Sequence, residues 1–527
     1  MIMVLKRSVN IFSICLPLTL GISSLAFANS QLKTLSDSEL ADVNGQALMS
    51  LSYLAPRDNA NPMKNVSNNN VGFYKLGLEA ELNLNANIKN LQLGCGGVNG
   101  KDACDIDIKN LALSGLPDSY DKEGVPIFNN GRASTSGSIT NPFMEFAIAN
   151  PNSASTREVK GIRFSAEKIS ALLSAGLENG TTSSTTDGIQ RLSGFMQVAG
   201  TTGTARTQEA KFGLASREAG AGANDQQLEG IAHLEVCLTS LCLIKPINTD
   251  IKFVSRTGSD STGITVPSVS TDFVLEPFTV NGKRQTRAEI YDIRTKLNTI
   301  PIAPNGDPRY PSSMFANDQL RVDLSCDAPS SNLSCDLTTL LKANAKFKMS
   351  DGSAINNLNL KIDFIQSLSM FHNIPLTGTG GYLSLQDIPL LWPGAKIASS
   401  DSTNNNLSTM SGNTDVAQPG WWMSFNDPVQ LGHLNVTQPI ILDNNTLKQV
   451  AERVSETLMQ TSSETPQAKV VGIGELISLL ADRPLSSKVV ANLDSATQAN
   501  PVYLQLQNQR LANQTVKSNC YGTLKFC

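Results

Sequence analysis

The residues best placed to do chemistry in this chain are its cysteines. Nine occur; Cys15 lies in an amino-terminal leader, and the rest fall as Cys95/Cys104, Cys237/Cys242, Cys326/Cys335 and Cys520/Cys527. Four close pairs separated by long cysteine-free stretches predict four local disulfides formed in an oxidising compartment, although other connectivities are formally open. Closing such short loops stabilises each by roughly 2–3 kcal/mol on the chain-entropy model. Zinc is the competing use of cysteine. The spacings are too wide for CxxC knuckles, and His233, His372 and His433 lie far apart in sequence, so disulfides are the stronger expectation.

Aromatic residues supply a second set. All three tryptophans fall in short segments that contain Pro or Gly, Leu391-Trp392-Pro393-Gly394 and Gly420-Trp421-Trp422-Met423. Such clusters serve either as ligand platforms or as packing at a sheet end or subunit contact, which makes Trp392, Trp421 and Trp422 interaction candidates. The chain carries no clear Gly-x-Ser-x-Gly elbow, His-Glu-x-x-His zinc helix or phosphate-binding loop ending in Lys-Ser or Lys-Thr. Gly378, Gly380 and Gly381 read as a hairpin turn. Carboxylates are abundant, but no spacing says which two would meet. The expectation is a non-enzyme with no cofactor and no metal.

The elements that position these residues are mostly strands. From Leu76 to Ile88, apolar Leu76, Leu78, Ala80, Leu82, Leu84, Ala86 and Ile88 alternate with Glu79, Glu81, Asn83, Asn85 and Asn87, the period of a strand with one dry and one wet face. The hexad Ile88-Lys89-Asn90-Leu91-Gln92-Leu93 recurs as Ile108-Lys109-Asn110-Leu111-Ala112-Leu113, with Cys95 and Cys104 between the copies. This predicts two similar strands stapled through their connecting loop, with a bulge or corner where each Lys-Asn pair shifts the apolar parity.

Residues 1–28 read as a secretory signal: Lys6 and Arg7, an apolar core from Ile11 to Leu20, and Ala26-Phe27-Ala28 as the cleavage site. Its removal takes away two basic charges and moves the formal net charge from −4 to −6. A mildly acidic chain is a poor partner for nucleic acid. Residues 29–70 then form an amino-terminal helix and linker. Ser36 and Glu39 have capping-box spacing, Leu40 and Val43 share a helical face, and Gly45 can close the turn.

Residues 71–300 make a first β region, residues 301–440 a second, opened by Pro301, Pro304, Pro308 and Pro311, and residues 441–527 a helical segment with a stapled end. Within the first, Ile162 to Leu173 suits strand or helix equally. Leu320, Val322 and Leu324, then Leu358, Leu360, Ile362 and Phe364, resume the alternation. Leu447, Val450, Ala451, Val454 and Leu458 have helical steps. Val470 to Ala481 is a second helix candidate, and Val502, Leu504 and Leu506 return to strand.

Leu35 to Gln46, Val71 to Gly97 with Cys104-Asp105-Ile106-Asp107-Ile108, Asn141-Pro142-Phe143 through Asn150 to Val159, and Gly420-Trp421-Trp422 to Gly432 together resemble the secreted family called pilus system protein FilA in Gram-negative bacteria. That name rests on gene neighbourhood. The resemblance implies a cell-surface, outer-membrane-associated or pilus-associated role, reached through the periplasm, without implying any chemistry or site.

The expected fold is mainly β, with extended or curved antiparallel sheets of sandwich or solenoid type and a small helical carboxy-terminal part. The expected function is structural: a fibre component, adhesin or assembly factor. Its partners would be other pilus-system or envelope proteins, or host and surface ligands. Rival readings are a lipid-carrying groove, an outer-membrane barrel and a surface hydrolase.

Overall fold

The computed structural model describes residues 49–66, 70–100, 103–178, 180, 182–214, 226–236, 247–258, 260–325, 345–379, 381–459, 469–470 and 483–520. The described chain is mainly β. Its largest sheet has twelve strands: β1 (Met49–Leu54), β2 (Val71–Leu78), β3 (Glu81–Leu84), β4 (Ala86–Leu93), β5 (Ile106–Ser114), β6 (Gly137–Ala149), β7 (Glu158–Ala175), β8 (Gly188–Val198), β9 (Phe278–Gln285), β10 (His372–Leu376), β11 (Tyr382–Gln386) and β12 (Gly420–Val429). They lie in the order β1-β2-β6-β7-β11-β12-β8-β5-β4, and β5 also pairs with β7. The circuit from β7 through β11, β12, β8 and β5 back to β7 curls the sheet into a half-barrel, and β6, β2 and β1 continue it as an open flank.

The repeated hexads pair with each other. Ile88 stands opposite Leu111 and Leu93 opposite Ile106 in one unbroken antiparallel register, and the Cys95–Cys104 disulfide closes the loop between them. The parity shift in β5 comes from a left-handed residue rather than an inserted one: Asn110 has φ 53°, a conformation asparagine tolerates. The alternation from Leu76 to Ile88 is one line of chain broken into β2, β3 and the start of β4. The break is a one-residue register shift along a single partner: β2 pairs with residues 143–149 of β6 and β3 with residues 137–140 of the same strand. At the joint, the Asn141 amide donates to the Ala80 carbonyl at 2.8 Å, and Asn141 itself has φ 48°.

Ile162 to Leu173 lies wholly within strand β7. One edge of β7 takes β6 and then β5; the other takes β11 and β10, through Gly161–Ser165 and Ala171–Ala175 respectively. Strands β10 and β11 both run antiparallel to β7, so the glycine-rich link between them joins strands lying along one partner and does not turn a hairpin.

A second set of sheets surrounds a separate apolar core. One pairs Arg287–Pro301 with Ala354–Ser367, which also pairs with Val490–Asn492 and Val502–Gln507. Another runs from Glu229–Val236 through Ile247–Arg256 and Leu320–Ser325 to Lys346–Met349. Helix α1 (Asn444–Leu458) is started by Asp443, whose side chain accepts from the Thr446 amide at 2.7 Å. It buries Leu447, Val450, Ala451, Val454 and Leu458 in that core, as the helical spacing predicts. A one-turn helix, α2 (Asp494–Gln498), follows. The second helix expected over 470–481 lies outside the described residues apart from Val470, which pairs in a short strand.

The division expected at residue 300 does not separate sheets. Strand β8 from the first region pairs with β12 from the second, and Arg287–Pro301 pairs with Ala354–Ser367 across the same boundary. Buried apolar residues on both sides of position 300 need one another, and the proline-rich patch starts at the end of the strand Arg287–Pro301 and passes through buried Ile302 and Ala303 before it reaches the surface.

Candidate interaction face

Residues directly opposite in neighbouring strands project from the same face of a sheet. Two such rows cross the half-barrel. Leu51, Leu76, Met144, Phe164, Leu383 and Met423 form one, and Tyr53, Tyr74, Phe146, Ile162, Leu385 and Trp421 the other. Every member is apolar or aromatic. At the curled end the rows are covered, because Leu383, Trp421 and Met423 pack with Ile106, Ile108 and Leu192. On the open flank they are not: Leu51 is 76% exposed, Phe164 42% and Leu76 39%. Tyr53 stacks on Tyr74 with ring centroids 4.3 Å apart and is itself 42% exposed. The result is an apolar trough about 20 Å across five strands, closed at one end and bounded at the other by β1, whose outer edge pairs with no described strand.

The reverse face is the dry one. Residues 387–419 fold over it and bury Leu390, Leu391, Trp392, Val416 and Ala417 against Phe73, Ala147, Tyr382 and Trp422. In β2 this reverses the expected faces: Phe73 is the buried residue and Leu76 the open one. Beneath the cover lie charged and polar groups. Glu145 and Arg163 pair at 2.5 Å, and Arg163 sits over the rings of Phe143, Tyr382 and Trp392. Asp415 accepts from Tyr382 Oη at 2.7 Å, Trp422 Nε1 at 3.0 Å and Ser424 Oγ at 2.6 Å. Burial still pushes the Asp415 carboxyl above the ordinary carboxylate range, and pushes Glu145 up against the pull of Arg163.

The tryptophans therefore divide. Trp392 and Trp422 are fully buried and are core residues, not a ligand platform. Pro393 and Gly394 turn the covering segment after Trp392, where the Ala395 amide donates to the Trp392 carbonyl at 2.9 Å, whereas Trp422 is carried by strand β12. Trp421 alone reaches the trough. It is held by Asp105, which accepts the Trp421 amide at 3.0 Å. Gly94 and Gly420, at φ 68° and 104°, make room for that carboxylate: a Cβ on either would come within 2.4 Å of Asp105 Oδ2. Of the cysteines, Cys95 and Cys104 are bonded to each other and Cys520 is disulfide-bonded. Cys237, Cys242, Cys326, Cys335 and Cys527 lie outside the described residues.

The chain matches no family model, no curated protein and no solved structure with which it was compared.

A polar cleft of about 770 Å³ opens beside the disulfide, lined by Gln92, Asp107, Lys109, Gln190, Arg287 and Asn508 among others. Asp107 and Lys109 neutralise each other at 3.2 Å, and Arg287 is paired with Glu289. Amide, hydroxyl and paired charged groups suit a hydrated polar surface. Among the described residues no group of three or more His, Cys, Asp or Glu is placed to hold a metal, and no helix is long and apolar enough to cross a membrane.

Sequence reasoning missed the trough as a site. The alternation in β2 and β6 carried its signal, but alternation says only that one face is apolar. It does not say whether that face is covered.

Proposed function

We propose that this protein is a surface- or pilus-associated structural protein of a Gram-negative envelope, a fibre component or assembly factor that works by holding protein partners. The observation that carries this reading is the open apolar trough running to the edge of β1. A face several strands wide and largely uncovered suits a protein surface better than an enclosed small molecule, and the β1 edge adds backbone groups for strand pairing. The leader, the disulfide pattern and the resemblance of several segments to the FilA family support the same direction.

The test is immunogold labelling of intact cells, with sheared surface fibres blotted beside membranes. Label on fibres, lost when Leu51→Lys and Phe164→Glu are introduced without loss of folded protein, is the expected result. Signal confined to the periplasm removes the fibre-subunit reading and leaves assembly.

A second reading has its own observation. A curled apolar sheet can also seat acyl chains, so lipid mass spectrometry on protein prepared without detergent separates a carrier from a protein-docking surface.

A further inference from the structure

We propose that the polar cleft beside the Cys95–Cys104 disulfide is a binding groove for a neutral oligosaccharide. The inference concerns residues outside the trough and stands whether or not the fibre reading does. It is carried by the shape of the cleft, by the pairing of its charges and by the hydrogen-bonding groups left open in it.

The cleft forms where the half-barrel meets the second set of sheets. Gln92 comes from β4, Asp107 from β5 and Gln190 from β8, while Arg287, Ser367 and Gln507 stand at the ends of strands of the second set. At about 770 Å³ it lies inside the range of roughly 300–1,000 Å³ typical of ligand pockets. A second recess of about 400 Å³ shares Ser183, Ser184, Thr185 and Ser369 with it and continues to Glu178 and Met370. Together they make one elongated groove with a saddle of hydroxyl-bearing residues, which suits a linear chain of several units better than one compact molecule. The saddle is held in place, because the Ser184 amide donates to Ser369 Oγ at 3.1 Å and Gln190 Nε2 donates to the Ser184 carbonyl at 3.2 Å. A groove already ordered loses little freedom when it is filled.

The charges along it are engaged. Asp107 pairs with Lys109 at 3.2 Å and accepts from Gln92 Nε2 at 3.2 Å. Arg287 pairs with Glu289, and Arg191 has a partner of its own. A phosphate or sulfate would have to break into these pairs, so an uncharged ligand fits better. What stays open is a set of single amide and hydroxyl functions. Gln92 has given its amide to Asp107, and its Oε1 accepts from no described residue. Asn508 has given its Oδ1 to the Ser367 amide at 2.9 Å, and its Nδ2 donates to none. These isolated acceptors and donors are interleaved with hydroxyls, and Ile189 and Ile365 add small apolar patches. A sugar ring has the matching make-up: hydroxyls around its rim that both donate and accept, and C–H groups on its faces.

The test is a printed panel of neutral and acidic oligosaccharides, from single sugars to hexamers, probed with the mature full-length protein. Calorimetric titration with the best neutral ligand and its shorter homologues follows. A neutral oligosaccharide should bind, at least about tenfold more tightly as a tetramer than as the single sugar. Asn508→Asp keeps the acceptor for Ser367 and tolerates the left-handed backbone at φ 49°, but removes the open donor, and should weaken binding by about five- to tenfold. Ser183→Trp, at an exposed position on the saddle, should block the groove, whereas Ser155→Trp, exposed and outside its lining, should leave binding unchanged. Equal urea midpoints for the three variants separate lost binding from lost folding. Failure to bind any neutral member of the panel would overturn the proposal. So would a preference for the acidic members, or neutral binding that either groove variant leaves intact.

Discussion

Arg163 and Glu145 face each other across the β6–β7 ladder with Nη2 2.5 Å from Oε2, each side chain only 5% exposed. The pair is a buried charge couple walled by Phe143, Tyr382 and Trp392. Removing one partner strands the other in an apolar surround. Arg163→Met should therefore cost about 3–5 kcal/mol, whereas Arg163→Met with Glu145→Leu should recover most of that loss. Urea unfolding midpoints of the three proteins check it. Equal losses in the single and double variants would show that the couple is not the source.

Trp392 has no exposed surface and packs its indole near Phe73, with ring centroids 5.6 Å apart. Trp392→Ala should lower stability by about 3–5 kcal/mol, and Trp421→Ala by clearly less. Acrylamide should quench Trp421 preferentially in the folded protein. Efficient quenching in a Trp421→Phe variant would contradict the burial of the other two indoles.

His372 opens β10 with its ring enclosed. Burial lowers its pKa from 6.5 to about 4, against the pull of the Leu368 and Ser367 carbonyls. The folded ring resists a proton that the unfolded ring accepts, so this contribution is complete above pH 6.5 and is lost as pH falls from 6.5 towards 4. The loss amounts to at most about 3 kcal/mol. His372→Gln should flatten that part of the profile. Unfolding midpoints at pH 7 and 4.5 for both proteins test this, the variant serving to subtract the carboxylates that titrate in the same range.

The Cys95–Cys104 bridge spans a sequence separation of nine. Cys95→Ser with Cys104→Ser should destabilise the protein by roughly 2–3 kcal/mol, mainly by releasing the unfolded chain. Because the bridged loop borders Asp105 and hence the Trp421 amide, near-ultraviolet dichroism should also change. An unaltered midpoint would mean that the hexad pairing alone holds this hairpin.

Much of the fold was legible because strands and helices announce themselves by period. The two hexads, the disulfide between them and the buried stripe of α1 follow from residue types at fixed spacing. What was not legible depended on contacts distant in sequence. Trp392 beside Pro and Gly suits a platform or a core equally, and only the fold of residues 387–419 over β11 and β12 decides. The open face of β2 shows the same limit: Leu76 and Phe73 are both apolar, and burial went to the parity that meets the covering segment. The prolines show a related limit: proline marks a local turn and carries no information about which strands pair across it.

The order of threading bears on how the molecule is made. Its second core draws on residues from Ala205 to Leu511, and the large sheet runs from β1 near the start to β12 at residues 420–429. Neither can be completed by a nascent chain until nearly everything has emerged. At ordinary rates of synthesis the earliest contributors to the second core wait on the order of 15–60 s for the last. During that interval the strands that await partners are unpaired and expose apolar side chains. Truncation near the carboxy terminus should be as damaging as truncation near the start.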